Sequence, residues 1–105
     1  MKPVILESPY AGDVKKNRKY LNRCILDSLM RGEAPVASHK MYTDSLDDKI
    51  PEQRELGIEA GLSLNSVIKD VVVYVDNGIS DGMRRAICFH GESGCSIEYR
   101  KVGEL

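Results

Sequence analysis

The apolar residues of this chain come in short blocks, and their spacing changes from block to block. Val4-Ile5-Leu6 is a compact run without alternation, the pattern of a short strand buried on both faces. Pro9 and Gly12 in "SPYAGD" break it, and Asp13 is placed to cap a helix. From Val14 to about Met30 the spacing turns helical. Val14, Leu21, Cys24, Ile25, Ser28 and Leu29 share one face, while Lys15, Lys16, Arg18, Lys19 and Arg23 mostly lie off it. Gly32 ends this helix, and "APVAS" is a second short strand. "HKMYTDSLDDKI", residues 39–50, reads as a polar loop, long for so small a domain. Pro51 suits the first position of a second helix, with Glu52 and Glu55 near its positive end, and this helix is predicted to reach about Asn65. "VIKDVVVYVD" is the third strand, its core from Val71 to Val75 again unalternating. A third helix covers about Asp81 to His90 and stops at "GESG". "CSIEYRKV" is the last strand, alternating Ile97 and Tyr99 against Glu98 and Arg100 as an edge strand does.

Strands thus alternate with helices, which implies a parallel sheet with helices on both faces. Right-handed crossovers leave few topologies. The expected architecture is α/β: a small flavodoxin-like (Rossmann-like) three-layer fold with a parallel four-stranded sheet of order 2-1-3-4, formed by residues 1–105 as a single domain. In such a sheet the ligand site lies at the carboxyl ends of strands 1 and 3, where the order reverses.

Composition narrows the function. The net charge of −1 lacks the basic excess of a general nucleic-acid binder, so nucleic acid is not the expected partner. No apolar run approaches the ~20 residues of a membrane span. The N-terminal apolar stretch is too short for a secretory signal and reads as a strand. Three cysteines, an odd number without framework spacing, fit a reduced, cytoplasmic setting. Cys88, His90 and Cys95 with His39 match no standard zinc spacing, so neither a metal nor a cofactor is expected. P-loop, dinucleotide-binding and nucleophile-elbow motifs are missing from the sequence.

Three segments converge on the expected crevice: "SPYAGD", "SHKMYTD" and "DNGISDGM". Tyr10 can stack on a base or sugar, and Gly12 lets backbone approach a ligand; a plain turn with a packed tyrosine is the alternative. His39 can bind phosphate or transfer a proton, and Tyr42 shares its loop; a hydrogen-bonded loop histidine is the alternative. Asp76 can accept sugar hydroxyls, or it is the first residue of an Asx turn before Asn77-Gly78. Ser80, Gly82 and Met83 open the third helix, where free N–H groups favour an anion, although Ser80 also serves as a cap.

"ILESPYAGDVKKN", "GEAPVASHKMYTD", "DDKIPEQRELGIEAGL" and "VVVYVDNGISDGM" together resemble a family of small phage and bacterial proteins, a domain of unknown function related to the nucleoside 2-deoxyribosyltransferases. The resemblance implies the same fold, a site for a nucleoside, nucleotide or nucleotide-sugar, and oligomers whose subunits share the site. It places Tyr10 and Gly12 in the loop lining the pocket, Asp76 at the sugar-contacting aspartate, and Ser80, Gly82 and Met83 in the turn opening the catalytic helix. One departure matters. The transferases carry a nucleophilic glutamate one helical turn on, and the aligned residue here is Ala86. No acidic residue stands between Met83 and Gly91. Losing the nucleophile removes the double-displacement route; Glu7, Asp76 and Asp81 are the carboxylates left for another mechanism.

The expected function is therefore binding of a nucleotide-type small molecule (nucleoside, nucleotide or ADP-ribose derivative) without cleavage, with catalytic residues unassigned. In a phage this would sequester a host immune nucleotide signal. The alternatives are a nucleoside or nucleotide N-glycosidase or deoxyribosyltransferase with relocated acid–base residues, and a protein-partner module. A homo-oligomer is also expected, because Leu56, Ile58, Leu62 and Leu64 cannot all face one sheet.

Overall fold

The two unalternating apolar runs become the two central strands of a parallel sheet. In the computed structural model, which describes residues 1–103, β1 is Lys2–Glu7 and β3 is Asp70–Tyr74. They pair with each other from Ile5 opposite Val71 to Glu7 opposite Val73. The edge strands are β2, Glu33–Val36, and β4, Ser96–Arg100, so the order is β2-β1-β3-β4 and every pairing is parallel. This is the α/β sheet of order 2-1-3-4 that the alternation implies.

Each face of the sheet has its own core. Val4, Leu6, Val72 and Tyr74 pack under Tyr20, Leu21 and Cys24 of α1, Val14–Met30. On the other face Ile5, Val71 and Val73 pack with Ile68, Met83 and Ile87, the last two from α4, Asp81–Glu92. The remaining helices are α2, Ser38–Met41, and α3, Pro51–Ser63, which tightens into a 3₁₀ turn at Leu64–Ser66. Asp13 caps α1, its carboxylate accepting from the Lys16 amide. The ends of the expected apolar face, Val14 and Leu29, are exposed.

Several element boundaries differ from the sequence expectation, among them β1 (Lys2–Glu7), β3 (Asp70–Tyr74) and β4 (Ser96–Arg100). β2 begins at Glu33 and ends at Val36, since Ser38 already starts a helical turn. The segment expected as a loop from residue 39 therefore opens with α2. The second long helix stops as α at Ser63, and the third runs on to Glu92. In β4 the alternation holds only in part. Ile97 packs inward, but Tyr99 is 53% exposed and Arg100 is buried. The reason is electrostatic. Arg100 donates to both oxygens of Glu33 at 2.8 and 3.0 Å, lies over the Tyr74 ring and pairs with Glu98. Ser28 also donates to Glu33, at 2.7 Å. The Arg100 bonds hold the Glu33 carboxyl below its ordinary pKa against the opposing effect of burial, and Glu33 raises that of Arg100 in turn. A buried charge with its partner in place is tolerated where an unpaired one is not.

α3 is loosely packed. None of its residues is buried. Gly57 and Gly61 turn toward Leu46 and Ser38, while Leu56 and Ile58 remain 58% and 45% exposed.

Candidate functional site

β1 ends in a charged residue directly after its apolar run. The strand alternation that sends Leu6 toward α1 sends Glu7 toward α4. Its carboxylate is buried there and must find partners. They are both histidines of the chain. His90, on the inner stripe of α4, brings Nε2 to 2.6 Å from Glu7 Oε2. Its Nδ1 lies 2.7 Å from Asn65 Oδ1 in the 3₁₀ turn, and Cys95 Sγ donates to the same oxygen at 3.3 Å. His90 thus bridges Glu7 and Asn65 through its two ring nitrogens. Asn65 Nδ2 has no partner.

His39 approaches from the other side. Its Nε2 lies 3.1 Å from Ser8 Oγ, and its Nδ1 faces Glu7 Oε1 at 3.8 Å, too far for a hydrogen bond. That nitrogen is buried and unpartnered. Thr43 Oγ1 donates to the His39 carbonyl at 2.6 Å and holds the turn of α2. Burial lowers the His39 pKa from its ordinary value of 6.5, with Glu7 acting in the opposite direction. The Tyr10 ring meets the imidazole edge-on at a centroid distance of 6.4 Å. Asn17, from α1, fixes the Tyr10 loop by donating to the Tyr10 and Ala11 carbonyls, each at 3.0 Å. Gly12 follows with φ of +96°, a conformation that glycine adopts without a Cβ penalty.

The structure divides the expected site residues. Tyr10 and His39 come together, joined by Glu7 and Ser8. Tyr42 is half-buried and its Cβ approaches α3 at Gly57. Asp76 lies on the α1 side. Its Oδ1 accepts from Tyr20 Oη at 2.6 Å and from the Val102 amide at 3.0 Å, and its Oδ2 accepts from the Gly103 amide at 3.0 Å. Burial pushes the Asp76 pKa up, but these donors together bring it below its ordinary value. One acceptor position on Oδ2 is left over. Ser80 caps α4, its Oγ accepting from the Met83 amide at 3.2 Å. Met83 is buried in the core. Gly82 is exposed, and a Cβ there would meet nothing closer than Ser80 Oγ at 4.0 Å. The amides of Asp81 and Gly82 open the helix, where intrahelical partners are lacking.

Glu7, Ser8, Asn65 and His90 are the members that sequence reasoning underweighted. The available signal was Glu7 itself, a carboxylate at the end of a strand buried on both faces. Among the described residues, no group of three His, Cys, Asp or Glu side chains is arranged to hold a metal.

The sequence matches, over residues 2–100, the family described as a domain of unknown function (DUF7768). The chain belongs to this family. No curated protein matches it. The DUF7768 match runs from β1 through β4 and so takes in Glu7, His39, Asn65, Asp76 and His90. The family's description names no activity. No helix among the described residues is long and apolar enough to cross a membrane.

Proposed function

We propose that the crevice at the carboxyl ends of β1 and β3 binds a nucleotide-type ligand (a nucleoside, nucleotide or ADP-ribose derivative) without cleaving it. The observation that carries this reading is the buried, unpartnered Nδ1 of His39, held between Glu7 and the Tyr10 ring where the strand order reverses. An imidazole with one nitrogen on Ser8 and the other unsatisfied beside a carboxylate has hydrogen-bonding capacity in reserve for when a ligand arrives. Tyr10 supplies a face for a base, the free oxygen position of Asp76 a contact for a sugar hydroxyl, and the first amides of α4 a seat for an anion. Ala86 lies one turn before His90 on the same helix face, and its methyl group cannot attack an anomeric carbon. In a phage, such a binder would sequester a host immune nucleotide signal; that setting rests on the family resemblance alone. Calorimetric titration with nucleosides, nucleotides and ADP-ribose tests the reading. Binding of at least one, recovered intact after denaturation, is the expected result.

A second reading is N-glycosidic cleavage by relocated groups. Glu7 favours it: Oε2 is held by His90, whereas Oε1 is free beside His39. Release of free base in proportion to protein, followed by chromatography, decides for this reading over the first. We also propose a homo-oligomer. A helix without a buried residue, carrying exposed Leu56 and Ile58, is the surface that a second copy would cover.

A further inference from the structure

We propose that His39 is the specificity-determining residue for phosphate-bearing over phosphate-free ligands, and that it takes up a proton as the phosphate binds. The inference rests on the nucleotide-binding reading above and names the ligand class within it.

The argument begins with the surroundings of the imidazole. Glu7 and Ser8 face it from the end of β1, and Tyr10 from the following loop. His90 of α4 stands behind Glu7, with Asn65 and Cys95 behind His90. Lys40 is its neighbour on α2, and the Arg18–Asp44 pair ties α1 to the chain just beyond. His39 uses one nitrogen, on Ser8, and leaves the other bare. Burial disfavours a charge there. A phosphate reaching Ser8 and Nε2 changes this balance. Protonated His39 then donates from Nε2 to the phosphate and from Nδ1 to Glu7 Oε1, closing the 3.8 Å gap. The added proton is needed because Glu7 would otherwise repel the anion. A nucleoside offers no such charge and leaves the imidazole neutral.

A second, independent feature points to an anion at this rim. α1 begins directly after the Tyr10–Asp13 loop and has no acidic residue in its first turn. Lys15, Lys16 and Lys19 there are exposed, and none forms an ion pair among the described residues. Cations at a helix N-terminus oppose the helix dipole. They do, however, raise the local concentration of an anionic ligand around the start of α1, which follows the Tyr10 loop.

ADP-ribose is the probe, because its pyrophosphate has no ionisation near neutral pH and proton uptake then reports the protein. Titration is run in buffers of different ionisation heat. The expected result is uptake approaching about one proton per ADP-ribose, with affinity falling up to about tenfold per pH unit on the alkaline side of the His39 transition. Adenosine takes up none. His39→Gln, with its circular dichroism unchanged, loses the uptake and binds ADP-ribose at least about tenfold more weakly. ADP-ribose binding without uptake, or uptake that survives His39→Gln, overturns this inference and leaves the binding reading intact. If no member of the nucleotide panel binds, both fall. The wild-type proton count does not depend on the variant folding.

Discussion

At the scale of single residues, Glu7 is the carboxylate whose surroundings most need explaining. It is buried, it is bonded to His90, and it faces His39. Glu7→Gln keeps the shape and removes the charge. It is expected to destabilise by about 1–3 kcal/mol, because a buried hydrogen bond between His90 and the carboxylate is weakened. His90→Gln should cost a similar amount, and the double variant less than the sum, which urea unfolding measures directly. His39 makes stability depend on pH with a definite sign. Its folded pKa lies below the ordinary 6.5, so the unfolded chain binds the proton more readily. Its contribution to stability is complete above that value. It declines as pH falls from 6.5 toward the lower folded pKa. Unfolding midpoints across this window should slope less steeply in His39→Gln than in wild type. Glu33 and Asp76 act in a separate, more acidic window, because their pKa values are lowered from 4.5 and 3.8. Asp76→Ala removes the acceptor for Tyr20 and for two backbone amides, an expected cost of about 1–3 kcal/mol. Hydrogen exchange should then speed up at Val102 and Gly103, where the amides lose their carboxylate.

At the scale of elements, α4 links its Ser80 cap to the buried His90–Glu7 contact. Its N-terminus is capped by Ser80 and its inner stripe carries Met83 and His90. Ser80→Ala leaves the Met83 amide without its cap and should cost about 1 kcal/mol, read as a lower thermal midpoint. α1 and the edge strands are linked in a different way. Tyr74 Oη donates to Asp27 at 2.7 Å, and Arg100 reaches under α1 from β4 to Glu33 of β2. Two edge strands that never pair are thereby joined by one side chain. α3 stands apart. It touches its own chain through a glycine-bearing side and buries no residue.

At the scale of the whole molecule, that exposed helix is what argues for a partner. Replacing Leu56 and Ile58 together by glutamate should leave the circular dichroism unchanged, since neither side chain is in a core. The same change should convert an oligomer to a monomer by sedimentation velocity. A wild type that already sediments as a monomer at micromolar concentration would disprove the oligomer proposal. The sheet needs no partner to form, because both its faces are covered within the chain.

The order of elements and the sheet topology were legible because they depend on local patterns and chirality. Two unalternating runs, Val4–Leu6 and Val71–Val75, could only be central strands, and right-handed crossovers then limited the strand order. That Tyr10 and His39 lie together was legible for the same reason: topology puts their loops at one end of the sheet. Pairings between side chains distant in sequence were not legible. Glu7 and His90 are 83 residues apart, and Arg100 and Glu33 are 67 apart. No local pattern encodes which charge will meet which when both are buried. The alternation in "CSIEYRKV" pointed Tyr99 inward, and the tertiary structure instead buries Arg100, because Glu33 waits there to neutralise it. Asp76 sits at the strand end that the pattern indicated. Only the packing of α1 and the return of the chain after β4 filled most of its acceptor positions with Tyr20 and the Val102 and Gly103 amides. Local sequence therefore determined the strands, the helices and the end of the sheet where Tyr10, His39 and Asp76 lie. Long-range burial decided which polar groups are satisfied, and so which one, His39 Nδ1, is left open.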